Sequence, residues 1–188
     1  NIDPFSSGGY GDEQLVVDCD WKKQWGFDYG LYKPVFDVIR NRKLRMAALN
    51  VPRDWVRQVG RKGPEAITRE QRMWVPNIDT TNKDHKEYFN AMIGGHPQMP
   101  EAQYNNMYAA QVTWDTGMAK SAYDFMTWRG GATMVILAGS GHVGYGQGIA
   151  YRLGQMGEKS RLLVVCVDKK PGEQVSKGVG DYLFTATK

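Results

Sequence analysis

Apolar residues along this chain alternate between two spacings, and the changes of spacing mark out its elements. Short aliphatic runs at 14–17, 46–50, 133–138 and 161–167, with a last one at 182–184, read as strands. Between them apolar residues recur at three- and four-residue intervals. Leu31, Val35, Val38 and Ile39 predict a helix over 29–40, and 51–60 reads as a second, with Pro52 near its first turn and Gly60 just past its end. Asp84 is the expected cap of a helix over 84–93, closed by Gly94-Gly95-His96-Pro97. The longest pattern covers 100–127, where Tyr104, Met107, Tyr108, Gln111, Trp114, Met118, Ala122 and Phe125 form one face of large side chains, most of it core. A further helix is expected over 148–156. Residues 61–83, with Pro64 and Pro76, read as a connecting excursion with at most a short helix at 68–74. Strands alternating with helices predict an α/β domain: a largely parallel sheet flanked by helices, with ligands at the carboxyl ends of the strands.

Composition narrows this further. The chain has 188 residues, 41% of them hydrophobic, with six Trp and ten Tyr, enough for one well-filled domain. The Gly/Ser-rich opening, residues 1–12, reads as a disordered tag or linker, which leaves 13–188 as the domain. That opening lacks the basic and apolar regions of a signal peptide, and no run approaches the roughly 18 apolar residues of a membrane span. The net charge is +4 with Lys and Arg scattered rather than gathered on one stripe, which argues against nucleic-acid binding. Cys19 and Cys166 lack the close-spaced partners of a zinc or thioredoxin-type motif, and Cys166 reads as a buried, inert thiol.

The richest stretch for chemistry runs from Met134 to Gly148, an apolar strand candidate that opens into five glycines spaced around His142 and Tyr145. Glycines let backbone approach a bound group closely. Gly139-Ser-Gly141-His-Val-Gly144 matches the dinucleotide fingerprint literally, with Asp168 as an acidic residue for a ribose contact. Against an oxidoreductase of that kind, Gly144, Gly146 and Gly148 would each cost about 1 kcal/mol in the phosphate-binding helix, and the chain ends about twenty residues after Asp168. His142 and Tyr145 carry atoms that ligate iron or hydrogen-bond an anion, and tyrosinate suits ferric haem. As simpler readings, the imidazole bonds to nearby backbone and the phenol packs over the glycines. His85, in a charged stretch, reads as solvated and His96 as a turn residue, while Tyr104 and Tyr108 are core by default. Asp18-Cys-Asp20 has no partner for acid–base work, and neither a serine nucleophile elbow nor an H-E-x-x-H motif occurs.

Five segments in order carry a resemblance: Trp25-Gly-Phe-Asp-Tyr-Gly-Leu-Tyr-Lys-Pro34, Ala48-Leu-Asn-Val-Pro-Arg-Asp54, Gly94-Gly-His96, Ala110-Gln-Val-Thr-Trp-Asp-Thr-Gly-Met-Ala119 and Leu137-Ala-Gly-Ser-Gly-His-Val-Gly-Tyr-Gly-Gln-Gly148. Over roughly 15–185 the chain resembles the ChaN-type haem-binding, iron-regulated lipoproteins. The resemblance implies an EreA/ChaN-like α/β fold and a binding protein rather than an enzyme. It further implies haem or iron uptake at the bacterial periplasm and outer membrane, through a lipid anchor that this sequence does not include. Haem held between two subunits would promote a homodimer, with an uptake receptor or transporter as a further partner. By the same resemblance Tyr145 is the first choice for the iron, with Tyr108 and Tyr104 as alternatives. His142 is a propionate or second-shell contact, Arg152 an anion partner, and Gly139 and Gly141 part of the cofactor-binding loop. Two departures stand out. The family's opening strand with a Gly-Glu-x-His motif, about its first third, has no match in residues 1–24, and Ala150 stands where many relatives have proline. The same fold group includes metal-dependent hydrolases resembling erythromycin esterases, whose late Gly-x-x-His pattern Gly139 to His142 preserves.

Overall fold

The computed structural model describes residues 3–95, 99–130, 133–158, 164–167 and 172–185, and the chain divides into two compact units, 1–48 and 49–188. In the first unit, α1 (Asp3–Ser6), α2 (Asp12–Asp18), α3 (Trp21–Gln24) and α4 (Lys33–Asn41) gather around Phe5, Leu15 and Phe36. Aromatic rings fill the gaps: Phe5 meets Phe36 edge-on at 5.7 Å, and Trp21 touches Tyr29, Tyr32 and Phe36. The opening stretch, expected as a linker, therefore contributes a fully buried phenylalanine to a core.

The strand expected at 14–17 is part of α2. Asp12 and Glu13 sit in its first turn, where they favour the positive end of the helix, Gln14 donates to Asp18 at 2.6 Å one turn on, and Leu15 alone turns inward. A three-residue apolar run carries too little periodicity to separate strand from helix.

The second unit is built on α7 (Glu101–Trp128), with α5 (Arg53–Lys62), α6 (Lys83–Met92) and α9 (Ile149–Gln155) arranged around it. Its buried residues, from Tyr108 to Ala122, face several directions because different neighbours cover different sides. Val59, Ile67 and Ala109 form one cluster, Phe89, Tyr108 and Val112 another, and Met118, Ala119, Ala122, Ile149 and Leu153 a third. Gly60 lies inside α5, 3.6 Å below the Ala110 side chain for any added Cβ, and the helix runs on to Gly63, whose φ of +87° ends it. The cap of α6 is Asn82 rather than Asp84, its side chain accepting from the His85 amide at 3.0 Å.

The sheet is small. Between α7 and α9 lies the one-turn helix α8 (Ser140–Val143), and after α9 come β1 (Val164–Val167) and β2 (Tyr182–Thr185), which pair in parallel with Val164 opposite Tyr182. The parallel sense agrees with expectation; a large parallel sheet does not appear among the described residues. Residues 46–50 and 133–138 are in no strand there, since an apolar run becomes a strand only where a neighbour takes up its backbone groups. The alternation survives at 133–138 even so: Met134, Ile136 and Ala138 pack on the α7–α9 core while Val135 and Leu137 face outward. His96 and the Cys166 side chain lie outside the described residues, and Cys19 is a free thiol.

Candidate functional site

The loop over 139–148 owes its shape to what its glycines let approach. Gly139 starts α8, whose single turn stops at Gly144; a 3-10 turn over Gly144–Gly146 follows, with Tyr145 in the left-handed region at φ 55°. The Tyr145 amide donates to the Val179 carbonyl at 2.9 Å, which helps hold that turn. A Cβ on Gly141 would meet the Met92 sulfur at 2.5 Å, one on Gly144 would meet the Tyr88 hydroxyl, and one on Gly148 would meet the backbone of His142. Tyr88 also donates to the Ser140 carbonyl at 3.0 Å, so α6 lies directly on the loop. A pyrophosphate in the dinucleotide manner would need that same backbone, and a one-turn α8 supplies no phosphate-binding helix.

Beneath the loop sits a charge that the sequence reading passed over. Asp115, in the middle of α7, has no solvent exposure and lies between two histidines. Its Oδ1 is 2.6 Å from His142 Nδ1 and its Oδ2 is 3.3 Å from His85 Nε2, the second contact falling short of good hydrogen-bond geometry. Burial alone would raise the Asp115 pKa; the hydrogen bond from His142, the nearby His85 N–H and the positive charge of Arg152 outweigh it and hold the carboxyl below its ordinary value.

The partners assign the protons. Arg152 Nη2 stands 3.4 Å from His85 Nδ1, and a guanidinium can only donate, so Nδ1 accepts and the His85 proton sits on Nε2 facing Asp115. The Tyr108 hydroxyl is 3.1 Å from that same Nδ1 and 3.2 Å from the Asn82 carbonyl. Burial, the largest influence on Tyr108, pushes its phenol up to about 12. At His142 the carboxylate accepts from Nδ1–H, and the Gln111 amide, 3.0 Å from Nδ1, turns its own protons to the Gly141 carbonyl at 3.3 Å and to Asp115. Trp114 stands edge-on to the His142 ring.

The expected site residues separate into two layers. His142, 23% exposed, and half-buried Tyr145 are on the loop, Tyr145 packed edge-on to Tyr88 at 5.1 Å. Arg152 is buried: it donates to Thr116 Oγ1 and to the Gln147 and Gly148 carbonyls, each at 3.1 Å, so it fastens the end of the loop. Tyr108 lies in the core with its hydroxyl engaged, and Tyr104 packs beside Phe89 on the α6 side. Gly141 shapes the loop by letting Met92 approach, whereas a Cβ on Gly139 would make only an ordinary contact with His142. His85, expected as solvated, is fully buried and joins the network. Asp115 did leave a trace in the sequence, as the one charged side chain between Glu101 and Lys120 on a helix expected to be mostly core, where it has to find partners; His85, in its charged stretch, left none. Among the described residues no group of three or more His, Cys, Asp or Glu side chains is placed to hold a metal ion.

A family model described as haem-binding uptake, Tiki superfamily, ChaN matches residues 1–153. The chain belongs to that family. No curated protein and no solved structure matches it. The ChaN match takes in His85, Asp115, His142, Tyr145 and Arg152 and stops short of β1 and β2. It also takes in the opening residues, including the buried Phe5.

Proposed function

We propose that this chain binds haem as cargo on the 139–148 loop and serves haem or iron uptake at the bacterial envelope. The observation that carries the reading is a half-buried phenol and a partly exposed imidazole, three residues apart, on a loop braced from below by a buried carboxylate in a ChaN-family chain. The donor set fits the group: a hard phenolic oxygen and an imidazole nitrogen both suit ferric iron. The Met92 thioether, beside Gly141 and partly exposed, adds polarizable apolar surface of the kind that covers a porphyrin face. Tyr145 is the first choice for the iron. Arg152, spent on loop carbonyls, orders the loop instead of meeting a propionate.

A second copy closing over the porphyrin, a lipid-anchored periplasmic location and a haem-uptake receptor or transporter complete this reading, as the family resemblance implies. Hemin titration followed in the visible spectrum tests the reading. Saturable binding with a high-spin tyrosinate spectrum that Tyr145→Phe abolishes supports it; no saturable binding refutes it. For a second reading, metal-dependent hydrolysis, the Asp115–His142 pair favours the hydrolytic step, since it resembles a general base and its orienting carboxylate, while no group of three ligands for the metal is placed among the described residues. It predicts metal-stimulated ester cleavage that His142→Ala removes.

A further inference from the structure

We propose that Asp115 and His85 are positioning residues that fix His142 with its proton on Nδ1 and its Nε2 lone pair toward the ligand. The inference rests on the haem reading for the nature of the ligand, and on the geometry beneath the loop for the rest. Arg152 is an obligate donor, so His85 Nδ1 accepts and the His85 proton on Nε2 faces Asp115 Oδ2, while Asp115 Oδ1, an acceptor only, accepts from His142 Nδ1–H at 2.6 Å. No further tautomer choice remains at His142. Its Nδ1 is held on the buried side by a carboxylate with no solvent exposure, and Nε2 has no hydrogen-bond partner among the described residues.

With its proton held on Nδ1, the neutral form of His142 offers an electron pair at Nε2. That form suits iron, or a hydrogen-bond donor on the ligand, better than a propionate, one of the two roles the resemblance implies for it. A carboxylate hydrogen-bonded behind an imidazole fixes the ring orientation and raises its donor strength, and removal of such a partner typically weakens metal affinity by about 10–100-fold. His85 acts one step further back. Without it Asp115 Oδ2 keeps only the 3.5 Å contact from the Gln111 amide, and the carboxylate is less constrained about its Cβ–Cγ bond.

Two measurements test this, one of which needs no haem. Long-range proton–nitrogen correlation spectra of the uniformly nitrogen-15-labelled chain, recorded at mildly alkaline pH, report the tautomer of each imidazole directly. The expected result is a protonated Nδ1 and an unprotonated Nε2 at His142; a protonated Nε2 overturns the proposal whatever the chain binds. Hemin titrations of wild type, Asp115→Asn, His142→Ala and the double variant then form a cycle. The expectation is that Asp115→Asn weakens hemin by at least about tenfold and moves the reduction potential of bound haem upward, and that both effects vanish in the His142→Ala background. An equal loss in both backgrounds makes Asp115 merely structural and overturns the proposal. If the wild type binds no hemin, the haem reading and the iron-facing role fall together, while the nitrogen spectra still decide the positioning claim.

Discussion

A single added carbon at Gly148 provides a sharp check on the loop. A Cβ there would stand 2.7 Å from the His142 carbonyl carbon and 3.1 Å from its Cα, and closer still to the carbonyl oxygen. Carbon atoms pack at about 3.5–4.0 Å, so two backbone segments would have to part by roughly 1 Å, with no flexible side chain to absorb the move. A displacement of that size takes His142 Nδ1 out of hydrogen-bond range of Asp115, which it now meets at 2.6 Å. Overpacking costs about 1–3 kcal/mol, the lost bond to a charged group about 1.5–3, and the stiffer unfolded chain returns about 0.4–1. Gly148→Ala should therefore destabilise the second unit by roughly 2–5 kcal/mol. Gly139→Ala is the control: its Cβ would make an ordinary contact 3.8 Å from His142 Cδ2 at a φ of −62°, and its effect should stay within about 1 kcal/mol. Urea unfolding followed by near-ultraviolet circular dichroism, with Trp114 beside His142 as an internal reporter, measures both. A Gly148→Ala protein as stable as wild type would refute the reasoning, because the loop could not then pass over itself as described.

Arg152→Lys and Arg152→Met should each cost about 3–5 kcal/mol in the same assay, since a planar fork reaching Thr116 and two carbonyls is lost from a buried place; a loss under about 1 kcal/mol contradicts this. Stability should also fall at alkaline pH. The Tyr108 phenol is raised from about 10 to about 12 on folding, so its contribution of roughly 2–3 kcal/mol is fully present below pH about 10 and is lost as pH rises toward 12; Tyr108→Phe should flatten that decline in a pH series of urea midpoints. Phe5→Ala should destabilise the first unit by about 3–5 kcal/mol, whereas no change in its thermal transition would return residues 1–12 to the status of a linker.

Long periodic segments were legible. The pattern over 100–127 became α7 within a residue at each end, and 51–60 and 84–93 became α5 and α6, because three or more turns repeat the signal often enough to identify it. Short runs were not: 14–17 is helical through its acidic first turn, and 46–50 and 133–138 lack ladder partners among the described residues, which no local pattern reveals. At the site, spacing alone singled out His142 and Tyr145. It could not see that α7 carries Asp115 under the loop and that α6 brings His85 to the carboxylate's other oxygen, since those contacts join residues 27 and 30 positions apart. Arg152, expected as an anion partner, is turned inward to Thr116 by its place on α9, which its position in the sequence does not reveal.

A crystal structure of the chain grown with hemin shows whether an iron porphyrin sits on the 139–148 loop. Iron is expected on the Tyr145 oxygen or the His142 Nε2, with Asp115 still accepting from His142 Nδ1 behind it. A porphyrin seated elsewhere on the chain, with this loop unchanged and uncovered, would contradict it.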